Sequence, residues 1–443
     1  MTQPFSFLHC ADVHLGAPFR GLTNVSPELG AHLREAPAAA FTRLVTAAVE
    51  RQVAAFIVAG DLFDAADRNL RAQIGLRDEL TRLHEAGIST YVTAGNHDAL
   101  GGRLSSIRYP ESVHFFGPEV SAVPLQRDGA TLAHVYGISF NRPEIKDNLA
   151  TAFPVEPEGP FSIGVLHANV GDRPEHASYA PCSLQDLQSR RFDYWALGHV
   201  HKRQTLHEEG PIIHYPGNPQ GLHINETGPR GGTLVEVASN GTISLTPIWS
   251  DVVRWHRLRT SIEGMESIDD LLGVFGQTVG AIVSEASECL HILRWTLTGG
   301  SPLHTELRRP EAGQDLTETL REEYASPAEP GTVWLERLDL ATRAERDMRS
   351  LLEQQDLLGD FLRLAEELRS SPPAPYDPEI GTGKLFGPEP ASSTAAREAV
   401  AELLEDRRVR AALGGDPWAI ADWSRLAAAA EDLAIKWLSS GEE

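Results

Sequence analysis

The sequence predicts an α/β fold with a largely parallel sheet, and two observations support this. Strand-like apolar runs alternate with helical stretches through the first half of the chain. Polar side chains that can bind metals directly follow several of these runs, at the carboxyl ends where open α/β sheets place their ligands. The length of 443 residues and the hydrophobic share of 41%, without an apolar run of 18 residues, are typical of two or three globular domains with no membrane-spanning helix.

The first 250 residues are expected to form one α/β domain. Strands are expected near 5–9, 54–59, 89–95, 112–116, 132–139, 161–167 and 193–198, with helices near 38–52 and 69–86. The pattern then changes to strands at 211–215, 232–237 and 242–248, the last two flanking a turn that contains Asn240-Gly241.

A smaller unit is expected over residues 251–342, followed by a helix, a linker and a tail. Its strands are predicted at 254–261, 289–298 and 333–340, with helical stretches at 268–284 and 303–324 between them. Residues 343–369 read as a charged amphipathic helix, 370–390 as an extended linker rich in Pro and Gly, and 391–443 as a helical tail with Trp418, Trp423 and Trp437. The tail either docks on a partner or folds back, and the reach of a Pro-rich tether favours docking.

Seven metal-binding side chains follow the strand-like runs in a fixed order. The motifs D-x-H, G-D, G-N-H-D, H and G-H-x-H supply Asp12, His14, Asp61, Asn96, His167, His199 and His201. Carboxylate, imidazole and amide oxygen, with no thiolate, suit a divalent ion such as Mn, Fe or Zn. Seven ligands are too many for one such ion and suit two ions that share a bridging carboxylate. Two ions ~3.5–4 Å apart clamp the attacking and leaving oxygens of an in-line phosphoryl displacement, so the motifs predict a two-metal phosphoesterase.

This motif set resembles that of the calcineurin-like metallophosphoesterase superfamily. The segment 9–19, which reads HCADVHLGAPF, and the GHVH at 198–201 are more narrowly similar to its DNA-repair exonuclease branch of SbcD/YhaO-like nuclease subunits. The likeness is strong over about residues 1–250 and is architectural beyond. It implies a four-layer α/β/β/α sandwich with a small α+β capping domain that helps to select DNA ends. It also implies Mn²⁺-dependent nuclease activity on DNA, often with an SbcC-like coiled-coil ATPase as partner.

The resemblance also implies a role for each motif residue. It assigns Asp12, His14 and His201 to one metal, Asn96, His167 and His199 to the other, and Asp61 to the bridge between them. His97 matches the family's non-ligand histidine that faces the leaving group. The implied mechanism is in-line attack on phosphorus by hydroxide bound to the metal pair, while His97 assists the leaving group. Two Mn²⁺ ions are favoured, with Fe, Zn or Mg as alternatives.

Other polar residues near the motifs have plainer interpretations. His9, inside the first strand, and Asp98, behind His97, are candidates for supporting the ligand loops rather than for ligation. Asp64 is more typical of a loop-capping carboxylate than of a ligand. Surface or cleft-lining positions are expected for His207, His214 and His223.

Three competing functions remain at this point. The net charge of −23 is unlike that of a free-standing nucleic-acid binder, although residues 1–250 hold 19 basic and 26 acidic residues, so most of the negative excess lies beyond them. The leading hypothesis is a nuclease subunit whose ATPase partner supplies the basic track. A phosphodiesterase for nucleotides or other small substrates shares every ligand and is favoured by the acidic charge. A non-enzymatic scaffold is disfavoured because every metal and catalytic position is filled.

Partners and compartment are predicted from the remaining features. DNA and the SbcC-like ATPase are the expected partners, a homodimer is a further option, and no membrane is involved. Cys10, Cys182 and Cys289 are odd in number and scattered, which argues for a reducing compartment without disulfides. The N-terminal residues lack the pattern of a secretory signal peptide, so a cytoplasmic protein is expected.

Overall fold

The computed structural model describes most of the chain up to residue 344 and a few positions beyond. The described residues are 3–17, 19, 27–64, 70–100, 107–171, 179–324, 330–344, 352–353, 355 and 359–363. The chain divides into two compact units, Met1–Arg343 and Ala344–Glu443.

The described part of the chain contains more strands than helices, and both parts of the fold are built around sheets. The strands of the larger part are β1 (Phe5–Cys10), β2 (Ala55–Ala59), β3 (Ser89–Thr93), β4 (Val113–Phe115), β5 (Ser121–Arg127), β6 (Ala130–Gly137), β7 (Ser162–His167), β8 (Tyr194–Gly198), β9 (Gln204–His207), β10 (Ile212–Tyr215), β11 (Gly231–Val237) and β12 (Ile243–Trp249). Its helices are α1 (Pro27–Glu50), α2 (Leu70–Glu85) and α3 (Leu184–Gln188), with a 3₁₀ turn at Leu149–Ala152. The smaller part contains β13 (Val253–Ser261), α4 (Ile268–Glu285), β14 (Leu290–Ser301), α5 (Leu303–Leu307), α6 (Ala312–Tyr324) and β15 (Val333–Ala344).

Two six-stranded sheets form the larger part. The first has the order β12-β11-β1-β2-β3-β4, with β1 to β4 parallel and β11 antiparallel to both β1 and β12. The second has the order β5-β6-β7-β8-β10-β9, with β6, β7, β8 and β10 parallel and an antiparallel strand at each edge. The predicted α/β class with largely parallel pairing is confirmed.

Both faces of the central strands are buried, which explains their continuous apolar sequences. In β1, Phe7 faces the core between the two sheets, whereas Leu8 packs in the cluster that holds residues of α1 and α2. In β2, Ile57 and Phe56 divide in the same way, as the period of two in a strand requires. The outer face of the second sheet is covered by α3, the 3₁₀ turn and loops, which completes the expected α/β/β/α sandwich.

The smaller part is built around the three-stranded sheet β13-β14-β15, as the strand and helix pattern predicted. Its first strand is fixed to the loop that follows β10 in the larger part. Gln220 accepts the backbone N–H groups of Val252 (3.0 Å) and Val253 (3.2 Å) and donates to the carbonyl of Val253 (2.6 Å). Trp255 Nε1 donates to the carbonyl of Gly221 at 3.0 Å. The domain boundaries placed at residues 250 and 342 stay predictions.

Several elements differ from the sequence-based expectation. Helix α1 begins at Pro27 rather than near 38, because Leu29 and Leu33 pack against Trp255 of the smaller part. A proline at 37 usually marks a helix start, and here tertiary packing overrides it. Strands β5 and β9 were not expected, since β5 is mostly exposed and β9 is only four residues long.

The C-terminal expectations are only partly covered by the structure. Strand β15 continues to Ala344, so the helix expected from 343 does not begin there. Of the rest of that helix, residues 352–353 and 359–363 are described and helical, whereas residue 355 is described and is not helical. The linker at 370–390 and the tail at 391–443 lie outside the described residues. No helix in the described part of the chain is both long enough and apolar enough to cross a membrane.

Candidate metal centre

The side chains that the motifs predicted as ligands lie where the parallel strands of both sheets end. Asp12 and His14 follow β1, Asp61 follows β2 and Asn96 follows β3, whereas His167 is the last residue of β7. His199 and His201 follow β8. His167 Nδ1 donates to the carbonyl of Ala59 at 2.9 Å, which ties the two sheets together at this edge.

Three groups of donor atoms lie at this edge; two consist of predicted ligands, and the third is formed by His14, Asp64 and His97. The ligand atoms of Asp12, His14 and His201 lie within 4.8 Å of one another, and His14 Nε2 is 3.1 Å from His201 Nε2. The ligand atoms of Asp12, Asp61 and His167 form a second such group.

Asn96 and Asp61 face the same nitrogen of His167. His167 Nε2 lies 3.1 Å from Asn96 Oδ1 and 3.4 Å from Asp61 Oδ2. Asp61 Oδ2 is also 4.0 Å from His14 Nε2, so this carboxylate stands between the two predicted ligand sets. Asp12 Oδ1 lies 4.0 Å from His167 Nδ1, the nitrogen that donates to the carbonyl of Ala59.

His199 joins this group through its ring and its backbone. Its ring centroid is 5.3 Å from that of His167 and 5.6 Å from that of Tyr179. Its backbone N–H donates to both carboxylate oxygens of Asp12, at 3.0 and 3.1 Å. The structure therefore brings six of the seven predicted ligands together by their donor atoms and places His199 directly beside them.

The donor set fits divalent metal ions. Donor separations of 3.1 to 3.4 Å are those of neighbouring ligands around one ion with bonds of about 2.0–2.2 Å. Burial, together with the charge of Asp61, raises the pKa of Asp12 and of Asp98 to about 6 each. A cation in this position would relieve that repulsion between buried carboxylates.

The loops that carry these donors have unusual backbone conformations. Asp12 (φ 54°), His14 (φ 49°), Asp61 (φ 52°) and His199 (φ 102°) all have positive φ. Residues other than glycine rarely adopt such values, and residues that do tend to cluster at functional sites. Hydrogen bonds between the loops hold them there, including His14 N–H to the carbonyl of Asp61 at 3.0 Å.

Two glycines of the motifs are required because atoms of other residues lie very close to where a Cβ atom would be. A Cβ atom on Gly95 would lie 2.2 Å from Asp61 Oδ1, and one on Gly198 would lie 1.7 Å from the carbonyl oxygen of Ala59. Neither distance is compatible with a side chain. The glycines in G-N-H-D and G-H-x-H therefore allow the loops that carry the predicted ligands to lie close together.

Asp98 and His9 occupy different kinds of position. Asp98 accepts the backbone N–H of Gly95 at 2.6 Å and that of Leu62 at 2.8 Å, so it joins two ligand loops. His9 is fully buried away from the donor clusters, where its Nε2 donates to the carbonyl of Leu197 (3.2 Å) and its Nδ1 accepts from the hydroxyl of Tyr194 (2.9 Å).

His97 faces the opening of the site rather than its interior. Its side chain is 34% exposed, whereas that of His14, 4.9 Å away between ring centroids, is 4% exposed. Its backbone N–H donates to Asp61 Oδ1 at 2.9 Å. Its Nδ1 lies 3.4 Å from Asp64 Oδ1. Asp64, which the sequence favoured as a loop cap, is thus placed to orient the His97 ring.

One of the expected surface histidines is not at the surface. His214 is fully buried, and its two ring nitrogens hydrogen-bond the hydroxyls of Thr205 (2.9 Å) and Thr233 (2.8 Å). The expectation was wrong because these two hydroxyls, on β9 and β11, satisfy an imidazole inside the sandwich. His223 lies beside the site, with Nε2 3.3 Å from Glu226.

Glu226 is the residue near the site that sequence reasoning missed. Its carboxylate accepts from His201 Nδ1 at 2.5 Å, which fixes the tautomer of His201 and leaves Nε2 directed at His14. Its other oxygen accepts from Leu222 N–H (2.6 Å) and Asn218 Nδ2 (3.1 Å). Burial opposes ionisation, but the bond to His201 lowers the pKa of Glu226 to about 2. Its position soon after the turn-rich loop at 216–221 was the only signal available in the sequence.

Comparisons with known proteins agree with this geometry. The family model described as calcineurin-like phosphoesterase matches residues 5–203, and that described as metallophosphoesterase YhaO, middle domain, matches residues 255–343. The chain is 36% identical over 356 residues to the uncharacterized metallophosphoesterase YhaO of Bacillus subtilis. The aligned region covers 79% of this chain and 85% of the relative.

More distant relatives have names that refer to DNA or to a nuclease. One is the DNA double-strand break repair protein Mre11 of Sulfurisphaera tokodaii, 29% identical over 53% of this chain and 60% of the relative. Another is the D component of the nuclease SbcCD of Bacillus subtilis, 26% identical over 50% of this chain and 63% of the relative. The chain thus matches less than two thirds of the length of each of these two.

The close approach at Gly95 predicts that Gly95→Ala impairs metal binding although every predicted ligand is retained. The added methyl group must displace Asp61 or His167, so we expect a loss of about 10–100-fold in metal affinity, as when a supporting group is removed. Isothermal titration with Mn²⁺ measures this. Gly117→Ala is the matched control, because its Cβ would meet no atom within 4 Å. Equal affinities of Gly95→Ala and the natural chain would refute the steric argument.

The contacts of Glu226 predict a similar loss for Glu226→Gln. A Gln side chain can still accept from His201, but its amide group would then face the donors Leu222 N–H and Asn218 Nδ2. We expect about 10–100-fold weaker metal binding with an unchanged fold. Glu236→Gln, at an exposed position of β11, is the control. Metal content per chain measures the loss of binding, and circular dichroism checks that the fold is unchanged. Full metal content at limiting Mn²⁺ would contradict the prediction.

Proposed function

The chain belongs to the calcineurin-like metallophosphoesterases, and from this premise we propose that it is a two-metal phosphodiesterase that cleaves DNA. The observation that carries the proposal is the convergence of the strand-end donors into two adjoining groups with Asp61 between them. The names of the Mre11 and SbcD relatives support DNA as the substrate.

Each predicted ligand has a role in this proposal. Asp12, His14 and His201 would hold one ion, Asn96, His167 and His199 would hold the other, and Asp61 would serve both. When bound, two divalent ions activate a water molecule and stabilise the charge on the attacking and leaving oxygens of an in-line displacement. Because oxygen and imidazole donors predominate, Mn²⁺ is the favoured metal, and Fe, Zn and Mg remain alternatives.

His97 acts on the leaving group in this proposal. Its side chain is partly exposed at the opening of the site, where a substrate would lie, and it belongs to neither of the two donor groups that contain Asp12. Together with His14 and Asp64 it forms the third group. Asp64 Oδ1 accepts from Nδ1 and holds the ring, so that Nε2 can deliver a proton to the departing oxygen.

The proposed partner is an SbcC-like coiled-coil ATPase. The name of the SbcCD relative supports such a complex, and the acidic chain would gain from a subunit that supplies cationic surface. The tail beyond residue 390 is the segment proposed to dock there. A second copy of the chain is a further proposed partner.

The net charge favours a second candidate, a phosphodiesterase for small substrates. Both candidates use the same metal centre, so only the substrate distinguishes them. Cleavage of a chromogenic diester without any cleavage of DNA would select the small-substrate enzyme.

The proposal predicts Mn²⁺-dependent digestion of DNA that depends on Asp61. Linear, circular and hairpin DNA should be offered in parallel, because the three together distinguish exonuclease from endonuclease action. Asp61→Ala should abolish cleavage and lower the occupancy of both metal sites, since one carboxylate serves both. Asp78→Ala, an exposed carboxylate on α2, is the control and should keep full activity. Two tightly bound ions per chain in Asp61→Ala would exclude the bridge.

The exposed position of His97 predicts that His97→Ala keeps both metals and loses turnover. The loss should be about 10²–10⁴-fold in rate, the usual contribution of a positioned general acid. Asp64→Asn should retain both metals as well and lose less, because the ring is then only less well oriented. Metal analysis alongside rate measurement tests this, and loss of an ion in His97→Ala would place His97 among the ligands.

A further inference from the structure

A small cavity adjoins the candidate metal centre. Its volume is about 160 Å³, and His201, whose Nε2 faces His14, also lines it. It lies where the residues before β9, the loop after β10 and the adjoining ends of β11 and β12 meet. A ligand in this cavity would therefore be a close neighbour of a substrate at the metal centre.

The lining of the cavity is cationic. Lys202, Arg203 and Arg230 contribute to it, and none of the residues that line it is Asp or Glu. Glu226 and Asp251 lie behind the lining, where they contact Asn218 and the backbone of Arg230. Within the described part of the chain, no carboxylate oxygen lies within 4.0 Å of the charged nitrogens of these three residues. Such a concentration of positive charge stands out in a chain with a net charge of −23.

Arg230 forms a rigid wall of the cavity. Its guanidinium donates to the carbonyl of His201, to Asn218 Oδ1 (3.0 Å) and to the carbonyl of Thr227 (3.2 Å). The buried Nε atoms of Arg230 and Arg203 have no hydrogen-bond partner among the described residues. The hydrogen bonds of the guanidinium thus go to neutral carbonyl and amide groups, while the carboxylates of Glu226 and Asp251 act on its charge without forming a salt bridge to it. The guanidinium therefore keeps part of its capacity to attract an anion.

An aromatic ring completes the cavity. Trp249, the last residue of β12, lines it and is 47% exposed, which is unusual for a large apolar side chain. Cations that follow a phosphate backbone, combined with an exposed ring on which a base can stack, are the two features of sequence-independent binding of single strands.

We infer that this cavity binds a phosphodiester group of the DNA strand next to the one at the metal centre, with an adjacent base stacked on Trp249. The inference rests on the proposed function and adds the path of the strand beyond the cleaved bond. Lys202 and the two arginines recognise the phosphate through its charge, and the indole accepts any base. The cavity would therefore contribute affinity without sequence preference.

The test is binding of a fluorescein-labelled oligo(dT) of about 12 nucleotides, within the usual size of single-strand sites. Its linkages are phosphorothioates, which keep the charge and resist cleavage, so the Mn²⁺-loaded full chain can be used. Fluorescence anisotropy gives Kd at several salt concentrations. Lys202→Gln should weaken binding about threefold to tenfold and reduce the salt slope by about one.

The stacking contact is tested separately. Trp249→Ala should weaken binding at least about fivefold at an unchanged salt slope, and Trp249→Phe should restore most of the affinity. Lys146→Gln is the matched control, since Lys146 is an exposed lysine paired with Glu144 at 3.2 Å and is remote in sequence from the cavity. Melting temperatures establish that every variant is folded.

The outcomes separate this inference from the proposed function. If the natural chain cleaves DNA and both Lys202→Gln and Trp249→Ala bind the oligonucleotide as tightly as Lys146→Gln, the cavity is not on the strand path and only the inference fails. If the mononucleotide dTMP competes at the same nucleotide concentration as the oligonucleotide, the cavity is a mononucleotide site, which also overturns it. Absence of DNA cleavage by the natural chain counts against the proposed function, while the binding data still decide about the cavity.

Discussion

The site depends on hydrogen bonds that cross from one sheet to the other where the strands end. His167 donates to the carbonyl of Ala59, and the backbone of His199 donates to the carboxylate of Asp12. The apolar core between the sheets supplies most of the burial, but hydrophobic contacts have no direction and cannot place a donor atom to within a few tenths of an ångström. The crossing bonds provide that direction. Because their residues also carry the donor atoms, sheet packing and site geometry form a single constraint.

The sequence was informative wherever local pattern decides structure. Strands such as β1 and β2 are buried on both faces, so each leaves an unbroken apolar run whose end can be located, and the polar residue after the run is then at the sheet edge. The class of the fold, the order of most elements and the positions of Asp12, Asp61 and Asn96 could be predicted for this reason. Whether these residues bind metal stays a prediction.

Contacts between distant segments could not be predicted in the same way. Glu226 lies in a loop without regular structure, and it meets His201 only because β10 pairs with β8 and returns the chain to this edge. The burial of His214 depends on two threonines from other strands, and the early start of α1 depends on Trp255. The sequence around each residue gives no sign of these contacts.

The net charge of the chain also could not predict the electrostatic potential at the site. That potential is set by charges within a Debye length of about 8–10 Å and not by the net charge of the chain.

The loop between β10 and β11 joins two regions that are far apart in sequence. Gln220 and Gly221 hold the first strand of the smaller part, and Glu226, a few residues later, holds His201. A change in the length of this loop would shift both attachments at once. In evolution or in protein engineering, the smaller part and the metal centre therefore cannot be exchanged as independent modules. A chimaera that imports another smaller part must also import, or rebuild, the loop that carries Glu226.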